Sequence, residues 1–292
     1  MHEVIVIGGS YAGLSAALQL ARARRRVLVI DAGDRRNRNA AHSHGFLGQD
    51  GRDPAEIAAK GRAEVLAYPT ARLIETRAES VERLEDGFAV TVATGERLEA
   101  ERLVLALGVV DELPDIPGVT ERWGRSIFHC PYCHGYELDA GKIGVLATSP
   151  LSAHQAMMLP DWGATTYFTR GFDPTPDERV QLERRGVTIE PSPVDRVEDR
   201  ATVRLADGRA LSFAGLFLAP KSRVAGRIAT DLALEMEDGA MGPIIKTDMT
   251  KATSVPGVFA CGDAALPAGS VALAVADGAR AGFGAHRSLM FR

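Results

Sequence analysis

The sequence predicts an α/β protein assembled around two βαβ units. Three observations carry this. Residues 3–7 are a short apolar strand that runs into Gly8-Gly9-Ser10-Tyr11-Ala12-Gly13 and then into an Ala/Leu-rich stretch. A second strand–loop–helix–strand pattern begins near residue 142, so the chain carries a partial internal repeat. Short apolar runs divided by Gly and Asp turns fill residues 71–105 and 187–217, as strands of about this length do.

Taken in order, residues 14–24 read as the first helix and residues 27–30 as a second strand that ends at Asp31. Strand, glycine turn, helix, strand and acid make a dinucleotide-binding unit of the Rossmann type. Gly8 allows the tight turn, Gly13 lets helix and strand pack closely, and a pyrophosphate would lie over the helix N-terminus. Ser10 replaces the middle glycine of that pattern. The arginines at 22, 24, 25 and 26 read as the solvated C-terminal end of the helix, where cations are favourable. Residues 34–53 show no periodicity, and a loop of that length is usually functional. Its His42-Ser43-His44-Gly45-Phe46-Leu47-Gly48 run is expected to line a cofactor. No acidic or cysteine partner beside His42 and His44 supports a metal, so no metal site is expected. Residues 54–67 read as an amphipathic helix started at Asp53-Pro54.

Strands follow at residues 71–74, 80–84 and 88–92, and an apolar strand at 103–106 ends in Leu107-Gly108. Residues 111–118 are Pro-rich and read as a linker. In the second βαβ pattern, strands at 142–146 and 165–169 flank a helix near residues 151–159. Its glycine-motif positions hold Ala147, Ser149 and Ser152, whose β-carbons would crowd a pyrophosphate, and Arg170 is the only local candidate for a 2′-phosphate. Residues 245–263 are apolar up to Gly262-Asp263, and a long Ala/Gly-rich helix runs from about residue 271 to 290.

Composition narrows the function classes. The chain is 46% hydrophobic and 25% charged with a net charge of -4, which gives no general footprint for nucleic acid or anionic membranes. The first apolar run is too short for a secretory signal, and no apolar run reaches the roughly 18 residues needed to span a bilayer. With only three cysteines a secreted disulfide framework is not expected, and a cytoplasmic enzyme is.

Two of those cysteines lie in His129-Cys130-Pro131-Tyr132-Cys133-His134-Gly135. A C-x-x-C at a helix start, in nucleotide-binding surroundings, reads as a redox pair. The helix N-terminus and an adjacent base favour the thiolate of one member, and Pro131 suits the first helical turn. Zinc is the first competing reading, but it needs four ligands and no second pair exists. Inert buried thiols are the other. Cys261 reads as a small apolar residue at a strand end.

The glycine turn with Asp31, the Ala106-Leu107-Gly108 strand end, the C-x-x-C and the late Gly257-Val258-Phe259-Ala260-Cys261-Gly262-Asp263-Ala264 segment occur in this order. The set resembles the low-molecular-weight thioredoxin reductases over nearly the whole chain. The resemblance implies two Rossmann-like domains of the three-layer β/β/α type, the second inserted in the first. An FAD domain at residues 1–113 and 248–292 would enclose a degenerate NADPH-type domain at 114–247 that carries the C-x-x-C. It also implies a homodimer. Gly8, Ser10, Ala12, Gly13 and Asp31 would hold the ADP part of FAD, and Ala106, Leu107 and Gly108 stand where the family has Ala-Thr-Gly against the cofactor. Asp263, after Gly262, would bond a ribityl hydroxyl. Ser270, Val271 and Ala272 would face the flavin pyrimidine ring with a helix N-terminus. Tyr11, Ala78, His44 and Gly45 complete the expected cofactor set. Cys133 would be the flavin-side cysteine, Cys130 the exchanging one, and His134 the acid–base residue in place of the family's acid.

The Cys-Pro-Tyr-Cys-His-Gly-Tyr-Glu run (residues 130–137) resembles the branch of fungal and bacterial dithiol oxidases, such as those closing the disulfides of gliotoxin and holomycin. That resemblance, with the degenerate second glycine motif, implies an FAD-dependent thiol–disulfide oxidoreductase without efficient NADPH use. Its substrate would be a small dithiol or a thioredoxin-like protein. Oxygen, ferredoxin or NADPH remain open as electron partners. A reductase, NADPH- or ferredoxin-linked, and a flavin-loaded redox sensor are the alternatives.

Overall fold

The computed structural model describes residues 2–291. It is an α/β fold with parallel-sheet Rossmann-like domains, and the chain divides into two compact units: Met1–Arg38, Phe46–Val110 and Ser222–Arg292 form one, Asn39–Gly45 and Asp111–Lys221 the other.

In the first unit, β1 (His2–Ile7), α1 (Tyr11–Arg22), β2 (Val27–Asp31), α2 (Pro54–Leu66) and β3 (Ala71–Glu75) give the parallel order β3-β2-β1. In β1, Val4 and Val6 join one core with α1, while Ile5 and Ile7 join another across the sheet. Apolar residues on both sides are what a strand covered on two faces requires. Three further strands, β4 (Ala78–Leu84), β5 (Gly87–Val92) and β6 (Arg97–Leu105), form an antiparallel meander. β6 does double duty. Its first half pairs antiparallel with β5, and its second half lies parallel between β1 and the strand Val258–Ala260. The C-terminal helix Val271–Met290 packs along α1, and the two share a core of small residues that includes Ala16, Ala17, Ala281 and Ala285. A β-carbon on Gly278 would stand 2.0 Å from the Ala12 carbonyl oxygen, so only glycine permits this crossing.

The second unit has its own parallel sheet, in which Ala140–Leu146 pairs with Gly163–Phe168 on one side and with Gly215–Phe217 on the other. Helix Leu151–Met158 covers one face, and the antiparallel strands Val194–Glu198, Thr202–Leu205 and Ala210–Ser212 pack over the other.

The unit boundaries differ from the sequence reading. Residues 222–247 belong with the first unit, because Val224, Ile228, Ala229, Leu232, Leu234 and Ile245 are buried in its core. Residues 39–45 group with the second unit. Within the expected linker, Val109–Glu112 is a short strand. Helix α1 starts at Tyr11, three residues earlier than expected, directly on the glycine turn. Among the described residues no helix is long and apolar enough to cross a membrane.

Candidate active site

The glycine turn of the first unit is held from three sides. A β-carbon on Gly13 would stand 1.7 Å from the Gly8 carbonyl oxygen, so helix and strand meet at backbone distance there. Gly8 abuts the Ala106 carbonyl, and the Ala106 N–H donates to the Ile7 carbonyl at 2.8 Å. Asp31 Oδ1 accepts the N–H of Gly9 at 3.2 Å and of Gly33 at 3.1 Å, which leaves the carboxylate its second oxygen for hydroxyl groups. The first N–H groups of α1 have no carbonyl within the helix. Its first turn carries no acidic residue, and the Ser10 side chain makes no cap. A dipole end with free-facing donors and no competing carboxylate fits an anionic pyrophosphate.

Of the other expected cofactor residues in this unit, one packs directly on the start of α1. Gly262 sits against Ala12, and Asp263 follows it on a one-turn 3-10 segment, Gly262–Ala264. Asp263 pairs with Arg36 at 2.9 Å. Gly108 has a positive φ of 68° with open space at its α-carbon. Ser270 caps the C-terminal helix by accepting the Leu273 N–H at 3.2 Å; Val271 and Ala272 form its first turn, again without an acid. Tyr11 contributes differently from the expectation. Its hydroxyl donates to the Pro54 carbonyl at 2.9 Å and bonds Asn37, so the side chain ties down the long loop. Ala78 opens β4 and packs on the meander core. His44 and Gly45 lie in the segment that groups with the second unit, where His44 Nε2 is 3.3 Å from Glu137 Oε1.

The cysteine pair is in the second unit. Cys130 and Cys133 form a disulfide, with α-carbons 5.3 Å apart. Pro131 opens the helical turn and Cys130 precedes it, but the helix is only Pro131–His134. One turn sums few peptide dipoles, so the expected helix-dipole support for a thiolate is small. The neighbouring imidazole remains. His134 stacks on Phe128 with ring centres 4.2 Å apart. Burial, and after it the charge of His44, lowers its pKa to about 4. The imidazole that follows Cys133 in the chain is therefore neutral at neutral pH, able to accept a proton rather than to carry one, which differs from the expected titration near neutrality. Gln155 donates to the His129 carbonyl at 2.7 Å and fixes the strand end before the motif. Tyr132, 72% exposed, stands edge-on to Trp162 at 5.2 Å, and Tyr136 is 85% exposed. Trp162, Gln155 and Arg36 carried no sequence signal, because each reaches its site only through tertiary packing.

The turn after Ala140–Leu146 is filled by the chain itself. Ser152 is fully buried, and its hydroxyl accepts the N–H of Thr148 at 3.0 Å and of Ser149 at 3.3 Å. Arg170, with φ of 47°, turns back to donate to the Ala147 carbonyl at 2.6 Å, and burial lowers its pKa. The N–H groups of Thr148 and Ser149 in this turn thus both point to the Ser152 hydroxyl. Cys261 is fully buried, and burial pushes its thiol well above the ordinary range.

A Gly-rich turn at a helix N-terminus in one unit and a Cys130–Cys133 disulfide in the other are the parts a redox enzyme of the thiol–disulfide class would carry. Residues 2–281 match the pyridine nucleotide-disulphide oxidoreductase family. An oxidoreductase of known structure from Agrobacterium tumefaciens is 55% identical, with a TM-score of 0.97 over 99% of both chains. The structure of HlmI is 41% identical, with a TM-score of 0.92 over 99% of this chain and 92% of that one. The thioredoxin reductase sirT of Leptosphaeria maculans is 32% identical over 98% of this chain and 94% of its own length. The chain belongs to the pyridine nucleotide-disulphide oxidoreductase family and is a thioredoxin reductase-like, FAD-dependent oxidoreductase.

Proposed function

We propose that the chain oxidises dithiols through the Cys130–Cys133 disulfide without efficient use of NADPH. The observation that carries this reading is the self-filled turn of the second unit, where Ser152 occupies the Thr148 and Ser149 N–H groups and Arg170 is spent on Ala147. A substrate thiolate attacks Cys130, forming a mixed disulfide and releasing the Cys133 thiolate. The second substrate thiolate then displaces Cys130, so the substrate leaves oxidised and the cysteine pair is left with two electrons. Bound FAD, held by the first unit, would supply the two-electron acceptor for the reduced Cys130–Cys133 pair, with oxygen as the final oxidant. His134 is the acid–base residue of this reading: with a pKa lowered to about 4 its imidazole is neutral at neutral pH, so it accepts a proton only in passing and the released Cys133 stays a thiolate.

In this reading the first unit binds FAD through Gly8, Ser10, Ala12, Gly13 and Asp31, with Ala106, Leu107 and Gly108 along the cofactor. Asp263 takes a ribityl hydroxyl, and Ser270, Val271 and Ala272 face the ring. The substrate is a small dithiol or a thioredoxin-like protein. The names of relatives such as sirT favour the second and also support an alternative reading as a disulfide reductase. The exposed stripe Leu273, Phe283 and Met290 on the C-terminal helix supports a homodimer, and the cytoplasm is the proposed setting. The test compares oxygen uptake with dithiol and with NADPH as donor. Dithiol-dependent uptake with equimolar peroxide is expected. NADPH-dependent reduction of a thioredoxin, with no oxidase activity, would replace the proposal with the reductase.

A further inference from the structure

The Gly262–Ala264 turn is anchored at both ends by one buried ion pair. Lys251 and Asp277 are 4% and 2% exposed, and Lys251 Nζ lies 3.2 Å from Asp277 Oδ2. That carboxylate oxygen also accepts the Gly262 N–H at 3.0 Å, at the start of the turn. The same ammonium donates to the Ala265 carbonyl at 3.2 Å, just past its end. Each partner is joined to a different neighbour of the turn. The Ala260 N–H donates to the Lys251 carbonyl at 3.0 Å, which joins Lys251 to the strand before it. Asp277 belongs to the C-terminal helix after it, beside the Gly278 crossing with α1.

Placing two charges here is costly for folding alone. Buried pairs are often matched or bettered by well-packed apolar residues. Lys251 also holds a left-handed φ of 66°, which a residue with a β-carbon adopts at a cost. The arrangement makes sense for what it holds: Asp263, between the two anchor points.

We propose that Lys251 and Asp277 are positioning residues that clamp the Gly262–Ala264 turn, so that Asp263 and the start of the C-terminal helix are set for the flavin. This rests on the reading of Asp263 as a cofactor ligand. The pair acts through backbone groups and touches no reacting atom.

The experiment measures FAD affinity of the apoprotein by flavin fluorescence, together with the visible circular dichroism of the bound flavin and the thermal midpoint. Asp277→Asn keeps the shape but removes the counter-charge, and FAD should bind about tenfold or more weakly, the scale of one lost charge-assisted bond. The double variant Lys251→Met with Asp277→Leu restores packing. It should recover the thermal midpoint yet still bind FAD weakly and with an altered dichroism band, because Gly262 and Ala265 have lost their anchors. Recovery of affinity together with stability in the double variant would overturn the clamp, as would unchanged affinity in Asp277→Asn. A wild-type apoprotein that binds no FAD would instead overturn the flavin reading, and the clamp with it.

Discussion

His134→Gln isolates the imidazole that follows Cys133 in the chain. The pKa of His134 is lowered from 6.5 to about 4 in the folded chain, chiefly by burial. An unfolded chain therefore takes a proton at this residue below about 6.5, while the native chain takes it only near 4. Stability supplied by the neutral imidazole is present above pH 6.5 and is lost as pH falls toward 4, with no further change below. At about 1.36 kcal/mol per pKa unit, the whole shift corresponds to about 3.4 kcal/mol. His134 is only half-buried, so screening by water brings the expected effect to about 2 kcal/mol. Glutamine removes the titration, and loss of the Phe128 stack adds an offset that does not vary with pH. Urea unfolding of both proteins from neutral to mildly acidic pH reads the difference directly. The wild type should lose about 2 kcal/mol more than His134→Gln across this interval. A difference that stays flat, or a wild type that gains stability on acidification, would refute the burial argument and with it the neutral base.

Other perturbations separate the parts of the site. Cys130→Ser should abolish dithiol turnover while the purified protein stays yellow; normal turnover would remove Cys130 from exchange. Cys133→Ser should block flavin reduction by thiols in an anaerobic stopped-flow trace, and an unchanged rate would place the flavin-side role elsewhere. Gly13→Val puts side-chain carbons where the Gly8 carbonyl oxygen already lies, 1.7 Å from the new β-carbon. Overpacking of this kind costs about 1–3 kcal/mol or more, so both the thermal midpoint and the FAD content should fall. Full flavin retention would argue against the cradle.

The sequence showed most where local chemistry decides structure. The strand–glycine–helix unit is legible because residues 4–7 are apolar without break and a turn with φ above zero needs glycine, as at Gly8 with φ 107°. The cysteine pair is legible for the same reason, since its spacing alone brings the sulfurs together. Long-range partnerships were not. Nothing local marks β6 as a strand shared between a meander and a parallel sheet. Residues 222–247 lacked a strong period because the short hairpin of Met236–Gly239 and Gly242–Ile245 is largely exposed and only Ile245 of it joins the first unit's core. The approach of His44 to Glu137, far along the chain, is likewise invisible in its loop sequence. The titration of His134 depends on Phe128 and on burial that no spacing reveals. The missing glycines of the second unit were visible in sequence, whereas the Ser152 and Arg170 bonds that fill the gap were not.

The central claim, that electrons enter from thiols rather than from a nicotinamide, is tested most directly by anaerobic titration of the flavin-loaded protein. Dithiol, NADPH and NADH are added separately while the visible flavin band is followed. Stoichiometric bleaching by dithiol, with neither nicotinamide effective, is the expected result. Rapid stoichiometric bleaching by NADPH would contradict the account, because it would mean that the turn filled by Ser152 opens to a dinucleotide after all.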